Sequence, residues 1–181
     1  MAGLQDGRVW ASHHLFYLTS GPPMPDRVWL PSPATAGLVT AREGAIMVET
    51  GIHTGDVRLA IEVLDREPPL SAGWEDVAEV SVVVPNGILR VQELMEPSVF
   101  PDLPLQGPGS YRIRVHANGR EFGHRGVEFA ERYLMSLWMA PLADDAVVHL
   151  TAHSRCQARA RAMASNATAL ARAPRPPRSP R

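Results

Sequence analysis

Lysine is missing from this chain: all 18 of its Lys-or-Arg residues are arginine. With the abundance of Ala, Gly and Pro, that bias is what GC-rich coding produces, so it suggests a bacterial source before it suggests arginine chemistry. The one cysteine, Cys156, excludes an internal disulfide. No stretch approaches the ~20 apolar residues of a membrane span. No basic segment followed by an apolar run opens the chain, as a signal peptide would. The expectation from these absences is a soluble, reduced, cytoplasmic protein with no membrane role. Convincing helical periodicity is also lacking over the first 140 residues or so, and with it the crossover helices of a parallel sheet.

What is present is alternation between breaks. Residues 103–120 carry the clearest case: Pro and Gly between 104 and 109 exclude a regular element. Tyr111, Ile113 and Val115 then alternate with Arg112, Arg114 and His116 until Asn118-Gly119. This predicts a strand with aromatic and β-branched groups inward, and two guanidiniums and an imidazole outward. Val57, Leu59, Ile61 and Val63 alternate in the same way, as do Ala78, Val80, Val82 and Val84. These two runs are the expected centre of the core, each buried Val or Leu contributing about 1.5–3 kcal/mol. Further strands are predicted around 15–18, 37–40, 45–49, 88–94 and 132–139, and Trp29 is expected in a loop pinned to the core. Pro85-Asn86-Gly87 between two apolar runs signals a hairpin. The fold expected is all-β: an antiparallel β-sandwich of about seven to eight short strands, with turn signals at roughly 8–12-residue spacing.

Charge divides the chain. Residues 1–154 hold 19 acids and 11 arginines, a net −8, whereas 155–181 hold 7 arginines and no acid, a net +7. Composition shifts to Ala, Arg and Pro at the same place. The domain expected is therefore 1–142, followed by an Ala/Arg/Pro-rich tail, 143–181, that is disordered or partly helical.

Several residues invite a chemical reading. His13-His14, as strand neighbours, would point to opposite faces and could not share a metal ion. His53-Thr54-Gly55-Asp56 reads better as a turn than as an acid–base pair, which would need a third, orienting group and a deep pocket. Gly107-Pro108-Gly109-Ser110 lacks the strand–turn–helix setting and G-x-S-x-G spacing of a nucleophile elbow. His149, His153 and Cys156 have a helical metal-ligand spacing, but Val147, Val148 and Thr151 disfavour a helix and no fourth ligand lies nearby. Asn166-Ala167-Thr168 is a formal glycosylation acceptor that a chain without a leader would not present. No metal, cofactor or catalytic set is expected.

Two charge groups remain: acids from Asp56 to Glu79, and arginines at 112, 114, 120, 125 and 132. A solvated surface explains both. The functional reading is an acidic face, with Trp74, Glu75, Asp76 and Glu79 in contact with a basic protein. The alternative is a small-molecule or nucleic-acid binding module using Arg112, Arg114 and His116.

The order of segments carries a resemblance. An early His14-Leu15-Phe16-Tyr17 strand and a Trp loop lead to Gly37-Leu38 and Gly44-Ala45-Ile46. A Val-rich strand before Pro85-Asn86-Gly87-Ile88 is followed by Leu103-Pro104, by Gly109-Ser110-Tyr111-Arg112-Ile113-Arg114-Val115-His116-Ala117-Asn118-Gly119-Arg120 and by Tyr133-Leu134-Met135-Ser136-Leu137-Trp138. Over about residues 10–140 this resembles the competence protein J family and related actinobacterial β-sandwich proteins of unassigned role. The family inhibits a DNA-entry nuclease. The resemblance thus implies a non-enzymatic β-sandwich that binds a protein, as an inhibitor or immunity protein for a nuclease or toxin, with no residue-by-residue transfer of binding positions.

Overall fold

The computed structural model describes residues 3–21, 30–93, 100–121 and 131–151, together with 162 and 165. The predicted positions of Trp29, Arg125, His153, Cys156 and 166–168 lie outside them.

Eleven strands form: β1 (Gln5–Ser12), β2 (Leu15–Thr19), β3 (Val39–Arg42), β4 (Ala45–Glu49), β5 (Thr54–Leu64), β6 (Asp76–Val84), β7 (Ile88–Gln92), β8 (Leu103–Pro104), β9 (Gly109–Asn118), β10 (Arg132–Met139) and β11 (Ala146–Leu150). Nine follow one another across a single sheet in the order β11-β6-β9-β10-β5-β1-β2-β4-β3, while β7 joins β2 and carries β8. The expected all-β class holds, but the simple antiparallel sandwich does not. The sheet is mixed and curls into a half-barrel that brings β3 against β6.

Two misjudged connections explain the difference. β10 runs parallel to β5, from Arg132↔Arg58 to Trp138↔Leu64. These parallel neighbours are joined through β6 to β9, so no crossover helix is required. The Asn86-Gly87 turn does not make a hairpin either, since β7 pairs with β2 and β8 rather than with β6. Asn86 is held elsewhere: its side-chain amide donates to the Ser20 carbonyl at 2.6 Å and accepts from the Ser20 hydroxyl at 2.5 Å. Gly87, at φ +69°, lies so close to Gly107 that a Cβ there would approach its carbonyl carbon to 2.7 Å. The turn is a junction between β2, β6 and the segment leading into β9.

The inward faces of β5, β6 and β9 form the core the alternation predicts. Val57, Leu59, Ile61, Ala78, Val80, Tyr111, Ile113 and Val115 are all fully buried. Phe16 meets Tyr133 edge-on, at 5.7 Å between ring centres, within this core.

At the other end of the sheet, β11 lies beyond Leu142 and pairs antiparallel with β6, with an irregularity between Val147 and His149. The chain therefore still belongs to the sheet after the expected boundary. Ala143 is already tied down: its N–H donates to the Ser81 hydroxyl at 3.1 Å, and its carbonyl accepts from Arg112 at 3.2 Å. Thr151 closes the strand by donating to the Glu75 carbonyl from both N–H and hydroxyl. The alternation in β11 spans only five residues, too short to stand out beside the tail composition.

Two truncations separate sheet from tail. Each net hydrogen bond contributes about 0.5–1.5 kcal/mol, so ending the chain after Leu142 should lower the melting temperature by several degrees, at about 2–4 °C per kcal/mol for a chain of this size. Ending it after Thr151 should leave melting unchanged at moderate salt, and equal melting of the two would remove β11 from the cooperative unit.

Candidate functional site

Arg112, Arg114 and His116 of β9 and Glu79 of β6 share the outer face, with Trp74 and Glu75 just ahead of β6, whereas Asp76 takes the inward face, in phase with Ala78 and Val80. Strand alternation aims Arg112, Arg114 and His116 outward, as expected, yet they are only 7%, 3% and 2% exposed. The segment between β5 and β6 crosses over Arg114 and His116, and Ala143 lies against Arg112. Arg114 donates to Glu79 at 2.6 Å, to Glu67 at 2.7 Å and to the Pro68 carbonyl at 2.8 Å. Trp138 lies 5.3 Å beneath its guanidinium. Arg112 donates to Glu79 at 3.0 Å and to Ser81 at 3.0 Å. Glu79 thus bridges two arginines, and the three charges form a layer whose donors are satisfied internally.

Burial accounts for the rest of the acidic group. Asp76 is 3% exposed and pairs with Arg120 at 3.0 Å. Glu75 accepts from the Gly119 N–H at 2.8 Å. Trp74 is half-buried between His116, 5.4 Å away, and Arg132, whose guanidinium stands 5.0 Å over its ring. Of the four residues, Trp74 and Glu75 retain part of their surface, whereas Asp76 and Glu79 serve mainly to neutralise arginines. The alternative set, Arg112, Arg114 and His116, is covered. Sequence alternation reports which face a side chain takes, and a covering loop is invisible to it.

A second polar group closes one end of the half-barrel. Glu131, 2% exposed, accepts from the N–H groups of Gly51 at 2.9 Å and of Ile52, and from the Tyr133 hydroxyl at 2.6 Å. Beside it, His13 and His14 form the two-residue turn between β1 and β2, at φ +55° and +69°. They are not strand neighbours, as the sequence suggested. Both rings approach His53, at 5.3 and 4.8 Å between centres. His53 itself bonds the adjacent Thr54 hydroxyl at 2.8 Å, but the expected turn over 53–56 does not form: Thr54, Gly55 and Asp56 already pair with β1 as the start of β5. Among the described residues no group of three His, Cys, Asp or Glu side chains could hold a metal ion. A cavity of about 230 Å³ at the edge of β1 is lined by Gln5, Asp6, Gly7, Phe100 and Pro101, with neither His53 nor Asp56 among them.

A third feature was not legible from local sequence. The registers place Arg8 of β1 opposite Arg58 of β5, and Arg58 opposite Arg132 of β10. All three are exposed on the outer face. Their sequence separation hides the row; only the parallel pairing of β5 with β10 assembles it.

Two buried groups set opposing pH dependences. Burial pushes the Glu131 carboxyl above its ordinary 4.5, against hydrogen bonds from Tyr133, Gly51 and Ile52 and the charge of Arg120. Burial pushes the His116 imidazole below 6.5, against its bond to the Leu134 carbonyl; the Arg114 charge lowers it further, and Glu62 and Glu79 raise it. The folded protein holds the Glu131 proton more tightly than the unfolded chain, so stability falls as pH rises from 4.5 through the folded-state value. At His116 it holds the proton less tightly, so that contribution is complete above 6.5 and is lost as pH falls through the folded-state value. Relative to the parent, Glu131→Gln should gain stability as pH rises through its window, and His116→Gln should gain it as pH falls below 6.5. Melting curves across pH test this, and profiles parallel to the parent's would show that neither group titrates as described.

No family model matches the sequence, and no curated protein does. Two solved structures share the fold. ComJ from Bacillus subtilis, described as the inhibitor of the DNA degrading activity of NucA, matches with a TM-score of 0.59 at 14% identity, over 77% of this chain and 99% of that one. The protein of crocagin biosynthetic gene J matches with a TM-score of 0.52 at 18% identity, over 78% of this chain and 99% of that one. The resemblance to the competence protein J family therefore extends to three dimensions, as a likeness of fold.

Proposed function

We propose that this chain is a non-enzymatic binding protein that blocks a nuclease or another toxic enzyme by occupying its surface. The observation that carries the reading is the fold likeness to an inhibitor of a DNA-degrading nuclease, which spans almost the whole of that protein. The outer face supports it. Two partly exposed tryptophans, Trp10 and Trp74, stand there beside exposed arginines, and Trp and Arg are the residue types that most often dominate protein interfaces. Burial of Arg112, Arg114 and His116 leaves the small-molecule or nucleic-acid alternative without its expected surface. The acidic body, at −8 over residues 1–154, would speed encounter with a basic enzyme even where acids make few of the final contacts.

The test is functional capture. The full chain, immobilised, is exposed to lysate of its native host, and the retained protein is assayed for DNA degradation with increasing amounts of free chain. Activity that falls to a floor at a defined stoichiometry is the expected result. Retained protein whose activity the chain leaves unchanged would contradict the proposal.

A further inference from the structure

The row Arg8–Arg58–Arg132 is at odds with ordinary sheet economy. Like charges directly opposite one another across strands are destabilising, and here two such pairs are adjacent. Arg112 and Arg114 share Glu79, Arg120 takes Asp76, and Arg90 takes Asp102. Arg58 and Arg132 form no ion pair among the described residues. At about 4.8 Å per strand the row spans roughly 10 Å. Aromatic surface lies at both ends: Trp10, 37% exposed, is two residues beyond Arg8 on the same face, and Trp74 lies under Arg132.

We propose that this outer face of β1, β5 and β10 is the partner-contact surface, and that it receives a carboxylate-bearing segment of the partner protein along the arginine row, between Trp10 and Trp74. The inference rests on the binding-protein reading above and adds the surface and the chemistry it recognises. A guanidinium presents paired N–H donors that match a carboxylate or a phosphate. The surroundings favour carboxylates on a protein over the phosphates of a nucleic acid. Asp6, Asp56 and Glu62 lie on the same face around the row, Glu62 accepting from the Ser136 hydroxyl at 2.6 Å. A continuous polyanion would run across those acids, whereas one or two carboxylates fit between them.

Hexaglutamate and hexathymidylate, at low salt, are the probes. Binding to the full chain is followed by affinity and by the NMR shifts of the Trp10 and Trp74 indole N–H groups. The double variant Arg58→Gln/Arg132→Gln is compared with Arg42→Gln/Arg66→Gln, which removes the same charge elsewhere and keeps the same tail. Hexaglutamate should shift both indoles, and the row variant should bind it at least tenfold more weakly than the control. Hexathymidylate should bind the parent at least tenfold more weakly than hexaglutamate. The row variant should melt at or above the parent temperature, because a repulsion has been removed. Equal binding by row and control variants, or indoles that stay unshifted, would overturn the surface. Row-dependent binding that favours hexathymidylate would assign it to nucleic acid instead. A row variant that melts several degrees lower would make these arginines structural. Against a captured enzyme, inhibition by the row variant equal to the parent's would sink the surface and keep the inhibitor reading. Row-dependent hexaglutamate binding without inhibition would do the reverse.

Discussion

A guanidinium with two buried partners joins the ends of this sheet. Arg120, 1% exposed, follows β9, donates to Asp76 at the start of β6 and reaches across to the Gly37 carbonyl at 3.2 Å, just ahead of β3. A curled sheet must bring its far strand back against its near one, and Arg120 fixes that approach with one charge. Its backbone is equally constrained, for a Cβ at Gly51 would lie 1.8 Å from the Arg120 carbonyl oxygen. Gly51 and Ile52 give their N–H groups to Glu131, so the loop between β4 and β5, the end of β9 and the start of β10 are locked together. A buried charge is costly unless paired, which makes such a cluster cooperative: removing one member leaves the others buried and unmatched.

The two halves of the outer face differ in how their charge is covered. On the outer face over β6 and β9, the loop ahead of β6 lies across Arg114, and Glu67 and Glu79 together neutralise Arg112 and Arg114. Charge on that side holds the sheet together. On β1, β5 and β10 no such layer of described residues lies over Arg58 and Arg132, and Arg8, Arg58 and Arg132 stand side by side with exposed surface. The division between covered and exposed arginine follows from which strands the loop covers.

The strands were legible wherever alternation was long enough. The runs around Leu59, Val80 and Ile113 predicted β5, β6 and β9 and most of the core, because a half-buried strand needs that pattern. What escaped was non-local. Nothing near Arg132 says that its neighbour is Arg58, and nothing near Asn86 says that its side chain is committed to Ser20 rather than to closing a hairpin. His13 and His14 read as strand residues because a two-residue turn with positive φ at both positions usually shows Asn or Gly. Trp74, Glu75, Asp76 and Glu79 are close along the chain, but the burial of Asp76 and Glu79 depends on Arg112, Arg114 and Arg120, more than 30 residues away.

The dependence of the curled sheet on Arg120 is open to one direct measurement, the equilibrium denaturant unfolding of Arg120→Met. The side chain remains long and apolar, so the change removes the charge and its donors while roughly keeping volume. Loss of about 3–5 kcal/mol, as expected when one partner of a buried pair is removed, with Asp76 left unmatched, is the result the account predicts. A loss below about 1 kcal/mol, the range of an exposed ion pair, would contradict it.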